Sequence, residues 1–167
     1  MTSPFIQQGP EIENTFTSDG LLRAYVEFAF PKEYQGEVVR DLQNFGERAA
    51  GEMLKLSQEA EASPPRHTAY DAWGARIDDL QFSTGWKALE KIAAEEGLIA
   101  IGYERKMGSY SRAYQFAKLF LFHPSSAFVS CPLAMTDGAA RAIEVAGKPS
   151  SLKHVFDRLT SRTADFW

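Results

Sequence analysis

A chain of 167 residues, 44% hydrophobic and 13% aromatic, is long enough to bury one core and too apolar to stay disordered. Its formal charge of -4 excludes the dense basic surface that displaces counterions from a phosphate backbone, so nucleic acid is not an expected partner. Cys131 is the single cysteine, which excludes an internal disulfide and a cysteine-based zinc site; with no basic, apolar leader and no run of ~18–20 apolar residues, the expected setting is intracellular, cytoplasmic or peroxisomal, without a membrane span.

Residues 1–18 carry Pro4, Gly9 and Pro10 without a helical period, which predicts an extended or disordered arm anchored by Phe5, Ile6 and Phe16. Residues 19–167 are expected to form one helical domain. Ser18 or Asp19 can cap a first helix with Leu21, Leu22, Tyr25, Val26 and Phe28 on its apolar side and Pro31 at its end. In the next stretch Val38, Leu42, Phe45, Ala49 and Met53 recur at steps of three and four, opposite a charged face of Glu37, Arg40, Glu47, Lys55 and Glu59. Ser63-Pro64-Pro65 stops that helix, because proline removes a backbone donor and drives the preceding residue out of helical geometry. The aromatic content of residues 63–82 predicts an ordered loop lying against the helices.

Ser83 or Thr84 then caps a helix with Trp86, Leu89, Ile92 and Ala93 on one face and Gly97 as its stop. Beyond a turn at Gly102 to Gly108, the apolar run from Tyr110 to Phe122 predicts a helix buried on most sides. A fifth helix is expected from Ser125 or Ser126 to Val145, crossing Pro132. Gly147 and Pro149 separate it from a last amphipathic segment around Leu152, Val155, Phe156 and Leu159. No segment alternates with period two, so the expected fold is an all-α bundle of five to six helices.

Few residues form a chemical set. His67, His123 and His154 lie far apart and match no metal or nucleophile spacing: His67 suits a loop, His123 the negative end of a helix and His154 the surface. Asp78-Asp79 and Glu95-Glu96 are adjacent, and adjacent side chains on a helix diverge. Gly102 to Gly108 lacks the spacing of a phosphate-binding loop. The unusual stretch is Cys131-Pro132-Leu133-Ala134-Met135-Thr136-Asp137-Gly138-Ala139-Ala140, where a proline interrupts the pattern among small residues. It suits either a kinked core helix packed tightly on a neighbour or the lining of an acyl or cofactor cavity.

Taken in order, Pro64-Pro65, Tyr70-Asp71-Ala72-Trp73-Gly74-Ala75-Arg76-Ile77-Asp78, Trp86, Glu95-Glu96-Gly97-Leu98, Pro124-Ser125-Ser126-Ala127 and the Cys131 to Ala140 stretch resemble the adaptive-response (AidB-like) branch of the acyl-CoA dehydrogenases over residues 35–167. The resemblance implies the helical N-terminal domain of a flavin-dependent oxidoreductase. In such proteins a β-domain and a second helical domain follow, hold FAD and supply the catalytic carboxylate. The present residues include neither the flavin-touching strand pattern nor that base, so no catalytic, cofactor-binding or metal-binding residue is assigned. This chain alone is expected to be inactive and to bind no FAD. Its implied contribution is one wall of the acyl pocket, with Leu121, Phe128, Met135 and Thr136 near it. An acyl-CoA substrate is expected only together with the further domains, supplied by a complementary chain, and a homo-oligomer is also compatible. The DNA link of some branch members belongs to a C-terminal region and is not carried over. The alternative is a free-standing helical module of the same fold that holds a lipid or another protein on its uncovered apolar face.

Overall fold

The computed structural model describes residue 7 and residues 9–164. Its elements are α1 (Gly20–Ala29), α2 (Lys32–Arg48), α3 (Leu54–Ala62), β1 (Arg66–Tyr70), β2 (Arg76–Gln81), α4 (Thr84–Glu95), α5 (Ile101–Glu104), α6 (Ser111–Phe122), α7 (Ser130–Val145) and α8 (Lys153–Leu159). Each of the six expected helices is present. The second is divided by a π-helical turn at Ala49–Met53, and the one-turn α5 is additional.

The chain enters along α2. Asn14 Nδ2 donates to the Gln43 carbonyl at 2.9 Å, and Phe16 is buried against Gly46, where a Cβ would lie 2.8 Å from the Phe16 backbone nitrogen. Of the three expected anchors, Phe16 is thus in the core, while Phe5 and Ile6 lie outside the described residues. Asp19 caps α1 by accepting from the Leu22 backbone N–H at 2.8 Å. The expected apolar side of α1 is corrected: Leu22 and Val26 are buried, whereas Leu21 is 83% and Phe28 90% exposed, with Tyr25 exposed beside them. A short helix packed on a single neighbour buries one stripe at i and i+4. Leu21, Tyr25 and Phe28 occupy the opposite stripe.

The predicted stripe of Val38, Leu42, Phe45, Ala49 and Met53 is buried throughout. The widened π turn re-phases the helix so that burial continues through Ser57 and Ala60 of α3. α3 packs directly on α4. At Gly85 a Cβ would lie 2.4 Å from the Leu56 carbonyl oxygen, so this crossing exists only because Gly85 has no side chain.

Residues 63–82 correct the expectation of a loop lying on the helices. β1 and β2 pair antiparallel as a two-stranded ribbon standing off the body, with Tyr70, Ile77 and Leu80 exposed and Trp73 94% exposed. The ribbon satisfies its own backbone. Asp71 Oδ1 accepts from the Trp73 and Ala75 N–H groups at 2.8 and 2.9 Å, Gly74 takes a positive φ, and an irregularity in register falls between Thr68 and Tyr70. The bulge and the short strands hide the period-two signal. Aromatic residues expected to pack inward instead cover the ribbon's outer surface.

Ser83 caps α4 by accepting from the Trp86 N–H at 3.2 Å. Gly97 ends it with a positive φ, its N–H bonding the Ala94 carbonyl and that of Leu98 the Ala93 carbonyl, the paired bonds of a Schellman stop. Arg162 covers this end, donating from Nη1 to the Glu95 carbonyl at 3.2 Å and from Nε and Nη2 to the Glu104 carboxylate at 2.6 and 3.0 Å. α6 is buried on one side only, since Phe116 and Phe120 are exposed, which corrects the expectation of a helix enclosed on most sides. α7 begins at Ser130 instead of Ser125 or Ser126, so Pro132 sits in its first turn. Backbone N–H groups there have no intrahelical partner, so the proline costs no bond and makes no interior break.

α2, α4 and α6 meet in a polar seam within the core. Lys118 is 3% exposed, and its Nζ lies 2.9 Å from Asp41 Oδ2, 2.6 Å from Glu96 Oε2 and 4.9 Å from the centre of the Phe45 ring. Arg48 also pairs with Glu96, and the Tyr114 hydroxyl donates to Asp41; burial, together with that Asp41 carboxylate, pushes the phenol's pKa up. No buried side-chain nitrogen or oxygen among the described residues lacks a partner. No helix among them is long and apolar enough to cross a membrane.

Candidate functional site

α6 and α7 border an extended concavity. On α6, Arg112, Phe116 and Phe120 are spaced at four and four on one face, which His123, in the 3-10 turn just past the helix, continues three residues on. On α7, Cys131, Ala134, Gly138 and Arg141 are spaced at three, four and three, and the first three present small side chains to the same space. Between them lies a groove of about 1050 Å³. Its floor includes the buried Ile99 and Leu133, and Phe128 projects from the connecting segment. That segment is a 3-10 turn at His123–Ser125 followed by Ala127 in the left-handed region.

Polar pairs lie at both ends of the groove. At one, Arg112 Nη1 reaches both Asp137 oxygens at 2.8 and 2.9 Å and Gln115 Oε1 at 2.7 Å. The Tyr103 hydroxyl donates to Asp137 Oδ1 at 2.6 Å, and burial together with the Asp137 carboxylate pushes its pKa up to about 12, so it remains a donor at neutral pH. Gly102 permits this arrangement, because a Cβ there would lie 2.2 Å from Gln115 Oε1. At the other end His123 Nδ1 lies 2.8 Å from Ser130 Oγ, an exposed pairing. The two pairings show that α6 and α7 run in opposite directions along the groove.

The residues expected near an acyl wall are not brought together. Phe128 lines the groove and is 66% exposed. Leu121 is in the core and borders a separate, smaller cleft with Ile12, Asp19, Gly20 and Pro124. Met135 is exposed, one residue past Ala134 and turned away from the groove. Thr136 donates its hydroxyl to the Pro132 carbonyl at 3.0 Å. Sequence reasoning missed Phe116, Phe120 and the Arg112–Asp137 closure. A signal was present, since Phe116 and Phe120 are one turn apart on a helix whose opposite face already supplies Ala117, Leu121 and Phe122 to the core.

The small residues of α7 line the groove instead of meeting another backbone: a Cβ at Gly138 would have nothing within 4 Å. Leu133 and Ala140 of this stretch are packed in the core, while Cys131, Ala134 and Gly138 line the groove. His67 sits on β1, not in a loop, with Nε2 3.0 Å from Asp78 Oδ1, while His154 is exposed on α8. Among the described residues no three His, Cys, Asp or Glu side chains are placed to hold a metal.

Residues 8–166 match the family model described as the adaptive response protein AidB N-terminal domain. Acyl-CoA dehydrogenase family member 11 of Caenorhabditis elegans is 41% identical over 165 residues, a span covering 96% of this chain and 27% of that protein. Putative acyl-CoA dehydrogenase AidB of Escherichia coli strain K12 is 28% identical over 127 residues, 75% of this chain and 23% of that one. Among solved structures, the apo form of Bd2924 superposes with a TM-score of 0.92 at 49% identity, over 98% of this chain and 32% of that chain. Caenorhabditis elegans ACDH-11 in complex with C11-CoA gives 0.91 at 40% identity, over 99% and 28%. The chain therefore spans about a quarter to a third of the length of these relatives.

Proposed function

The chain belongs to the AidB N-terminal domain family of the acyl-CoA dehydrogenases, and on that premise we propose that it is the helical part of a flavin-dependent oxidoreductase whose groove between α6 and α7 forms one wall of the acyl pocket. The observation that carries this reading is the exposure of Phe116, Phe120 and Phe128 around a floor of small and aliphatic residues. An alkyl chain is the ligand that such a surface rewards, because it offers apolar area and asks for no hydrogen bonds. Relatedness to a protein solved with C11-CoA supports the same choice.

The residues of the groove do not fit a flavin. Its two guanidinium groups are already paired, Arg112 with Asp137 and Arg141 with Glu144, which leaves no cation for a pyrophosphate. Dehydrogenation next to a thioester needs a base to take a proton and an acceptor for the hydride. The only carboxylate lining this groove, Asp137, is held by Arg112, Gln115 and Tyr103 and is a structural closure, not a base. The chain supplies shape and apolar contact, and the electron chemistry belongs to a complementary part of the protein or to a complementary chain.

Titration calorimetry with dodecanoyl-CoA, with CoA alone and with FAD tests this division. The expected result is weak binding of dodecanoyl-CoA that exceeds binding of CoA, falls at least fivefold in Phe120→Ser, and is accompanied by no stoichiometric FAD binding. Tight FAD binding, or acyl binding unaffected by Phe120→Ser, would overturn the proposal.

A further inference from the structure

The connection from α6 to α7 stores backbone strain at the edge of the groove. After the 3-10 turn at His123–Ser125, the Ser126 carbonyl accepts from the Val129 N–H at 2.9 Å and closes a turn around Ala127 and Phe128. Ala127 is the first inner residue of that turn and takes φ 49°, a conformation that a Cβ makes costly and that such turns usually give to glycine or asparagine. An alanine persists there only where its surroundings fix it. Both flanks do so. Ser125, Ser126 and Val129 are buried, the Ser126 hydroxyl donates to the His123 carbonyl at 2.8 Å, and the Phe128 carbonyl accepts from the Cys131 N–H at 3.1 Å. Between these fixed points the Phe128 ring lines the groove and is 66% exposed, so the backbone, more than packing, decides where it points.

We propose that Ala127 is a positioning residue: its left-handed backbone aims Phe128 at the groove between α6 and α7, so that the ring meets an alkyl chain lying there without first being ordered. This rests on the reading of the groove as an acyl wall. A ring carried on a mobile backbone loses freedom when a ligand covers it, and that loss is subtracted from the affinity. A ring whose backbone is already fixed loses less. Phe116 and Phe120 are fixed by α6, a regular helix, whereas Phe128 belongs to no helix and is fixed by the strained turn.

The test titrates dodecanoyl-CoA calorimetrically into the intact chain, Ala127→Gly, Phe128→Ser and the double variant, with a urea midpoint for each. Glycine takes a positive φ without strain, so Ala127→Gly is expected to fold with a midpoint equal to or above that of the intact chain. Its affinity is nevertheless expected to fall about threefold, because the turn then visits other conformations. Phe128→Ser is expected to lower affinity about fivefold, and the double variant to match Phe128→Ser, since the alanine acts only through the ring. A role confined to the fold would lower affinity by the same factor with the ring present or absent, so additive losses overturn the proposal. Undiminished affinity or a lowered midpoint in Ala127→Gly overturns it as well. Undiminished affinity in Phe128→Ser overturns it while a loss in Phe120→Ser keeps the acyl wall, and no binding to the intact chain overturns both.

Discussion

The seam between α2, α4 and α6 and the groove between α6 and α7 share a helix and reverse each other's chemistry. In the seam, Lys118 carries a charge into the core, where the half-buried Asp41 and Glu96 pair with it and Asp41 also accepts from the Tyr114 hydroxyl. In the groove, Phe116, Phe120 and Phe128 hold aromatic rings toward solvent, each more than half exposed. Both depart from the usual sorting of polar outside and apolar inside, which is where information lies. Buried pairs constrain which helices meet and in what register, whereas exposed rings add little to the stability of this body and are available to a ligand. One twelve-residue helix thus serves the fold with one face and the site with the other.

That contrast is most exposed to attack at Lys118. Lys118→Ala leaves the partly exposed Asp41 and Glu96 without their shared cation, although Glu96 keeps Arg48, and the expected loss is about 2–3 kcal/mol, read as a lowered urea midpoint. A loss under about 1 kcal/mol would show that the seam is incidental to the fold. Gly85→Ala tests the adjoining α3–α4 crossing, where the new Cβ meets the Leu56 carbonyl. The expected cost is about 1–3 kcal/mol, and wild-type stability would mean that the two helices are free to separate.

A more exposed tie gives a smaller effect, with a definite sign in pH. The Arg162 guanidinium holds the Glu104 carboxyl below its usual 4.5, so the folded pKa lies under the unfolded one. The stability from this pair is therefore full above about 4.5 and lost as pH falls through the lowered folded value. Because the pair is partly solvated, the contribution is under about 1 kcal/mol. Glu104→Gln should narrow the gap between stability at neutral pH and stability below 4.5; an unchanged gap would assign the acid sensitivity elsewhere. Smallest of all is Phe116→Ser, expected to change stability within about 0.5 kcal/mol while weakening acyl binding. A large loss of stability would place that ring in the core after all.

The sequence by itself determined the helical architecture, the buried stripe from Val38 to Met53, two caps each to within one residue (Ser18 or Asp19, Ser83 or Thr84) and the stop at Gly97. Each is a local matter of side-chain spacing, of one oxygen reaching one N–H or of a positive φ. It also marked residues 131–140 as unusual, although it could not say whether they packed or lined a space. Only the tertiary structure decided that, because a small residue suits a tight crossing at Gly85 and an open groove at Gly138 equally well. For the same reason the aromatic residues of 63–82 could be placed on a ribbon facing outward only by the fold. Periodicity gives the face a side chain occupies on its own element, and which neighbour covers that face depends on contacts between residues far apart in the chain.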